Sequence, residues 1–166
     1  MAIIKPNNNT ISAITALPAA IPTGKIIQVK SKKDSSLNQA NTNSNSLQDV
    51  SDLDLLITPS SASNYMQIFV MYHVDTGGDG HGLNGVLSYI IGGTQNTDLN
   101  GIGNRSIDIT ADRTNAWQTH MYYHNPNTTN EITYRFQFKS STNGELVYFN
   151  RGAYHILVNE LSGTGA

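Results

Sequence analysis

From Gly24 onward, apolar residues recur at every second position. In the stretch YMQIFVMYHV, Met66, Ile68, Val70, Tyr72 and Val74 share one side, and Tyr65, Gln67, Phe69, Met71 and His73 share the other. ITYRFQF sets Ile132, Tyr134, Phe136 and Phe138 against Thr133, Arg135 and Gln137. WQTHMYYH sets Trp117, Thr119, Met121 and Tyr123 against Gln118, His120, Tyr122 and His124. Successive side chains of a strand point to opposite faces of its sheet, so this alternation predicts strands. They are expected near 25–32, 47–57, 65–75, 84–92, 104–111, 116–124, 131–139, 145–150 and 153–161. Turn formers separate them, as in TPSSASN, TGGDGHG, HNPNTTN and STNG. Short strands at regular spacing, with no helical period among them, predict an all-β antiparallel domain of the sandwich, jelly-roll-like or barrel kind. Sheet faces must be covered, which favours two packed sheets.

Residues 1–24 follow a different rule. Ile11, Ile14, Leu17 and Ile21 are spaced like one face of a helix, and Pro18 and Pro22 forbid a long one. So short a segment cannot bury that stripe by itself. The expected organisation is an N-terminal docking arm over 1–24, with those four residues as the partner-docking contacts, followed by a β-sandwich domain over 25–166.

Composition narrows the function. Charged residues are 13% of the chain, about half of what soluble domains usually carry, and Asn, Ser, Thr and Gly supply the missing polarity. With ten basic against twelve acidic residues, no nucleic-acid face is expected. Lys30, Lys32 and Lys33 form the one basic cluster and read as a solvated strand end. The chain has no cysteine, which excludes disulfides, thiol catalysis and thiolate metal sites. No apolar run approaches the length of a membrane span, so no membrane insertion is expected. The N-terminus does not read as a signal peptide, since Lys5 is followed by Pro6 and three asparagines.

The stretch HVDTGGDGHG, residues 73–82, holds the densest chemistry. Asp75-Thr76-Gly77 is the tripeptide of aspartic proteases. The Gly of IIG follows too soon, Ile90 standing only fifteen residues beyond Asp75, to leave room for a flap hairpin. His73, Asp75, Asp79 and His81 are chemically able to hold zinc or calcium, but their spacing matches no known loop. The reading preferred is a hairpin connection whose glycines supply positive φ angles. His120 and His124 share a strand face roughly 13 Å apart, too far to ligate one ion. They are expected to line a sheet face or a subunit contact. Serine-nucleophile motifs, phosphate loops and paired catalytic carboxylates are absent; GGTQNTDLNGIGN has no lysine following and is not a P-loop. Neither a catalytic residue nor a cofactor or metal is therefore expected. Trp117, Tyr122 and Tyr123 are expected at a subunit interface. Tyr122, Tyr123, Tyr148 and Tyr154 are the candidates for stacking on sugar rings.

Several stretches resemble a known family. TALPAAIPTGKIIQV (15–29) is similar to the opening of small virion-associated proteins of marine tailed bacteriophages, in which a proline-containing arm leads into a Gly-Lys-Ile/Val-hydrophobic-Gln-Val strand. Gly24, Lys25, Ile26, Gln28 and Val29 match it. ITPSSAS (57–63), ITYRFQF (132–138), YFNR (148–151) and ILVNEL (156–161) resemble further family segments, in the right order. The resemblance implies a non-enzymatic structural protein: a capsid-decoration, head-fibre or tail-fibre component. It implies other virion proteins as partners, a homotrimer, and a place in the virion after assembly in the host cytoplasm. The alternative is a carbohydrate-binding, receptor-binding sandwich module whose partner is a host surface glycan.

Overall fold

In the computed structural model, the described residues are 25–34, 40–50, 53–76, 82–96, 99, 105–108, 115–149 and 154–163. They form twelve strands: β1 (Ile26–Asp34), β2 (Ala40–Thr42), β3 (Gln48–Asp49), β4 (Leu55–Ile57), β5 (Tyr65–Thr76), β6 (Gly82–Ile91), β7 (Thr94–Asn96), β8 (Arg105–Asp108), β9 (Asn115–His124), β10 (Ile132–Ser140), β11 (Val147–Phe149) and β12 (Tyr154–Leu161). All pairings are antiparallel, and the fold is the expected all-β sandwich of two six-stranded sheets.

The first sheet is ordered around β5. One side of β5 pairs with β12 over Tyr65–Met71 and then with β11 over Val74–Thr76; the other side pairs with β9 over Met66–Asp75. β1 lies beyond β12, and β2 beyond β11. The second sheet centres on β10 and β6, with β3 and β4 beside β10, and β7 and β8 beside β6.

The period-two pattern decides which side of each strand is buried. Met66, Ile68, Val70, Tyr72 and Val74 of β5 point between the sheets and are fully buried, as do Tyr154, Ile156 and Val158 of β12 and Ile132, Tyr134 and Phe136 of β10. Aromatic rings fill the centre. Tyr72 lies 4.7 Å from Phe136 and 5.2 Å from Phe149 by ring centroids, and Phe149 lies 5.2 Å from Phe138. Burying each such side chain contributes about 1.5–3 kcal/mol before ordering costs.

Three elements depart from the expected pattern. The strand expected over 47–57 is two short ones, β3 and β4, because the chain folds inward between them. Leu53 N–H donates to the Val50 carbonyl at 3.0 Å, and both side chains enter the core. β2 and β7, three residues each, lie in segments with no apolar alternation. β7 exists because Gly92 and Gly93 take φ of 58° and 81°, the two-residue turn with positive φ at both positions that returns a strand on itself. The expected docking arm, 1–24, with Ile11, Ile14, Leu17 and Ile21, lies outside the described residues.

Candidate functional site

The outward face of the first sheet is its least protected apolar surface. Strand register sets Tyr123, Gln67, Asn159 and Val29 in one row across β9, β5, β12 and β1. Met121, Phe69, Leu157 and Ser31 form the next row, and Thr119, Met71, His155 and Lys33 the third. Large exposed side chains gather at the β9 side, where Trp117 is 52% exposed, Met121 52% and Tyr123 49%. A short amide relay fixes the first row: Asn159 Nδ2 donates to Gln67 Oε1 at 3.2 Å, and Gln67 Nε2 donates to Tyr123 Oη at 2.9 Å. Trp117 meets His73 edge to face, with ring centroids 5.2 Å apart.

Two of the expected interface residues, Trp117 and Tyr123, share this face. Tyr122 does not. It is 4% exposed and points between the sheets, because β9 alternates and 122 has the opposite parity to 117 and 123. Met121 takes the position beside Tyr123 instead. The sugar-stacking set is divided for the same reason: Tyr122 and Tyr154 are in the core, so the four tyrosines share no platform.

The inward side of β9 holds both histidines. His120 Nε2 and Tyr72 Oη share a hydrogen bond of 3.0 Å, with the two rings stacked at 5.6 Å. His124 Nδ1 lies 2.8 Å from Tyr134 Oη, and its ring is 4.2 Å from that of Tyr89. Burial disfavours the charged imidazolium, lowering the pKa of His120 and bringing that of His124 down to about 4. The histidines therefore line a sheet face as neutral hydrogen-bonding rings.

In the 73–82 stretch only His73, Val74, Asp75, Thr76 and Gly82 are described; Asp79 and His81 lie outside. His73 is half-buried and Asp75 fully buried, and among the described residues no cluster of ligands suits a metal ion. A shallow depression of about 370 Å3 lies between the β6–β7 turn and the start of β10, lined by Gly92, Gly93, Asn130 and Glu131 among others. Its one carboxylate faces no histidine, lysine or second acid in that lining, so it offers no acid–base pair.

Sequence reasoning missed two polar clusters. Glu160 is fully buried yet keeps a carboxylate accepting four hydrogen bonds: from Gln28 Nε2 (2.6 Å), Ser60 N (2.6 Å), Ser60 Oγ (2.8 Å) and Asn64 Nδ2 (2.6 Å). Burial alone would raise its pKa, but the bonds from Asn64, Gln28 and Ser60 outweigh that and lower it. Gly163 closes the same knot, its N–H donating to Asn64 Oδ1 at 3.1 Å, where any side chain would overlap the Ser63 carbonyl. On the second sheet, Arg135 holds Asp54 through Nε and Nη2 and Asp49 through Nη1, clamping the β3–β4 segment onto β10. The signal for Glu160 was present: it has the parity of Tyr154, Ile156 and Val158 and so had to point inward. Both clusters are closed, with their donors and acceptors matched, and they fasten loops.

No protein-family model matches the chain, and no curated protein does. Among solved structures, the chain is similar to that of infectious bursal disease virus Gx strain, at 16% identity and a TM-score of 0.47, covering 83% of this chain and 32% of that one. It is also similar to the VP2 subviral particle of infectious bursal disease virus, at 14% identity and a TM-score of 0.30, covering 81% of this chain and 41% of that one. The chain thus spans less than half of either structure.

Proposed function

We propose that the chain is a non-enzymatic structural component of a virus particle: a capsid-decoration, head-fibre or tail-fibre protein of a tailed bacteriophage, docked through residues 1–24. The observation that carries this reading is the outward face of the first sheet. The sandwich presents Trp117, Met121 and Tyr123 to its surroundings. Aromatic and methionine side chains gathered on one face are the composition of a protein-binding surface. In this reading copies of the chain contact each other or other virion proteins through that face. The arm's four apolar residues supply the attachment to capsid or tail.

The test is quantitative protein mass spectrometry of purified particles from the virus that encodes the chain, with immunogold labelling of the intact particle. The expected result is a fixed copy number per particle and label at one location. Hundreds of copies mark a capsid decoration, and a dozen or so mark a tail part. Absence from purified particles overturns the proposal.

A further inference from the structure

We infer that β9 is an assembly edge, pairing antiparallel with β9 of a second copy across a twofold axis. Among the described strands β9 pairs only with β5, and it forms one margin of its sheet. Edge strands that stay unpaired are ordinarily blunted by lysines, prolines, bulges or shortness. β9 has none of these. It is ten residues long, its register against β5 runs unbroken from Asn115 to His124, and NAWQTHMYYH carries no charged residue and no proline. The opposite margin is different: β1 reads IIQVKSKKD, with three lysines, and β2 has only three residues. Among the described strands, one margin of the sheet is guarded and the β9 margin carries no further strand.

The occupant follows from the strand itself. A twofold axis normal to the sheet keeps outward residues outward, so odd-numbered positions must face odd-numbered positions. The register centred on His120 overlaps all of 116–124. It sets Trp117 opposite Tyr123 of the second copy and Thr119 opposite Met121, each pair occurring twice. Cross-strand aromatic pairs are the favourable ones in antiparallel sheets. No charge opposes a like charge, and the exposed side chains of β9 in one copy flank those of the other. A twofold contact of this kind uses the same patch on both copies and closes after two. The threefold ring implied by the resemblance would instead bring β9 against a different edge of the next copy, and the long edge available there is the lysine-bearing β1. The inference stands whether or not the chain belongs to a virus particle, because it concerns copies of this chain alone.

The test uses the full chain and light-scattering mass after size exclusion. Two variants are made, Thr119→Lys with Met121→Lys, and Thr119→Glu with Met121→Glu; Met121 is half exposed and Thr119 is exposed, so both should fold, as circular dichroism checks. The wild type is expected as a dimer at micromolar concentration. Each variant is expected as a monomer with at least roughly tenfold weaker self-association, since like charges then oppose each other across the axis. A one-to-one mixture of the two variants is expected to restore the dimer, because lysine now faces glutamate. A wild-type monomer overturns the inference and would leave the edge to an extended segment of another protein. A trimer, or any oligomer unchanged in both variants, overturns it as well. Monomeric variants that fail to recombine overturn the register centred on His120.

Discussion

Glu160 sits on the inward side of β12 in series with Tyr154, Ile156 and Val158, a position where an unpaired carboxylate would be untenable. Four donors make it tenable, and they come from two places in the chain: Gln28 of β1, and Ser60 and Asn64 of the 58–64 turn. Glu160→Gln puts an amide N–H₂ among groups that all donate. The expected cost is about 2 kcal/mol, read as a lowered midpoint in urea, and the loss should be largest at neutral pH. The sign follows from the lowered pKa: the carboxylate's contribution is full above the ordinary value of 4.5 and fades as the pH falls below it. Wild type and variant should therefore converge in acid. Tyr154 is the opposite case. Its hydroxyl is buried with no hydrogen-bond partner, so its desolvation is not offset. Tyr154→Phe should stabilise the domain by about 1 kcal/mol, seen as a rise in Tm. A fall in Tm would mean that the hydroxyl has a partner, such as an ordered water.

At the scale of elements, the long strands were legible because each is half buried, so its period of two is written in side-chain type. β5, β6, β9, β10 and β12 lie within two residues of the bounds expected from the pattern. The short strands were not legible. β2, β3 and β7 carry almost no buried apolar side chains, and only pairing with a longer neighbour makes them strands. The faces were equally readable: alternation alone puts Tyr122 opposite to Trp117 and Tyr123, and grouping the three by aromatic character overrode that parity. What alternation does not reveal is which strand is a margin, since that depends on pairing between distant segments. β9 illustrates the consequence. Its inner histidines are neutral hydrogen-bonding rings at pH 7, and His124 titrates only near pH 4 when folded, against 6.5 when free. The unfolded chain therefore takes up protons first as the pH drops from 6.5 toward 4, and stability falls across that window. The loss from His124 should be on the order of 2 kcal/mol after allowing for its partial exposure to solvent. Amide hydrogen exchange at pH 7 and pH 4.5 should show β9 losing protection ahead of β10, its partner across the sandwich at Tyr134. His124→Gln should flatten that dependence. Equal loss throughout the domain would place the acid sensitivity elsewhere.

For the whole molecule, the decisive relation is between the sandwich and the segment that precedes it. The described core draws its fully buried side chains from Leu53 to Val158, and among the described residues none of the core precedes Val50. Even β1, the first strand, is exposed along nearly its full length and is held by β12 on one side. Removing residues 1–23 leaves every described core residue in place, and the truncated chain is expected to fold with an unchanged Tm. Attachment is another matter. Burying Ile11, Ile14, Leu17 and Ile21 on a partner yields about 1.5–3 kcal/mol for each side chain, while ordering the segment costs roughly 1–2 kcal/mol per residue. One arm is then a weak tether unless backbone hydrogen bonds assist it. Two copies joined at β9 would carry two arms, and the second would bind at the effective concentration set by the first. The truncated chain should keep its β9-mediated dimer yet fail to join particles, measured as occupancy on purified virions assembled with truncated in place of full-length protein. The Lys variant at 119 and 121, monomeric but with its arm intact, should join at reduced occupancy. Full occupancy of the truncated chain would show that the sheet face, not the arm, is the anchor. A truncated chain that fails to fold would place residues before Gly24 inside the domain.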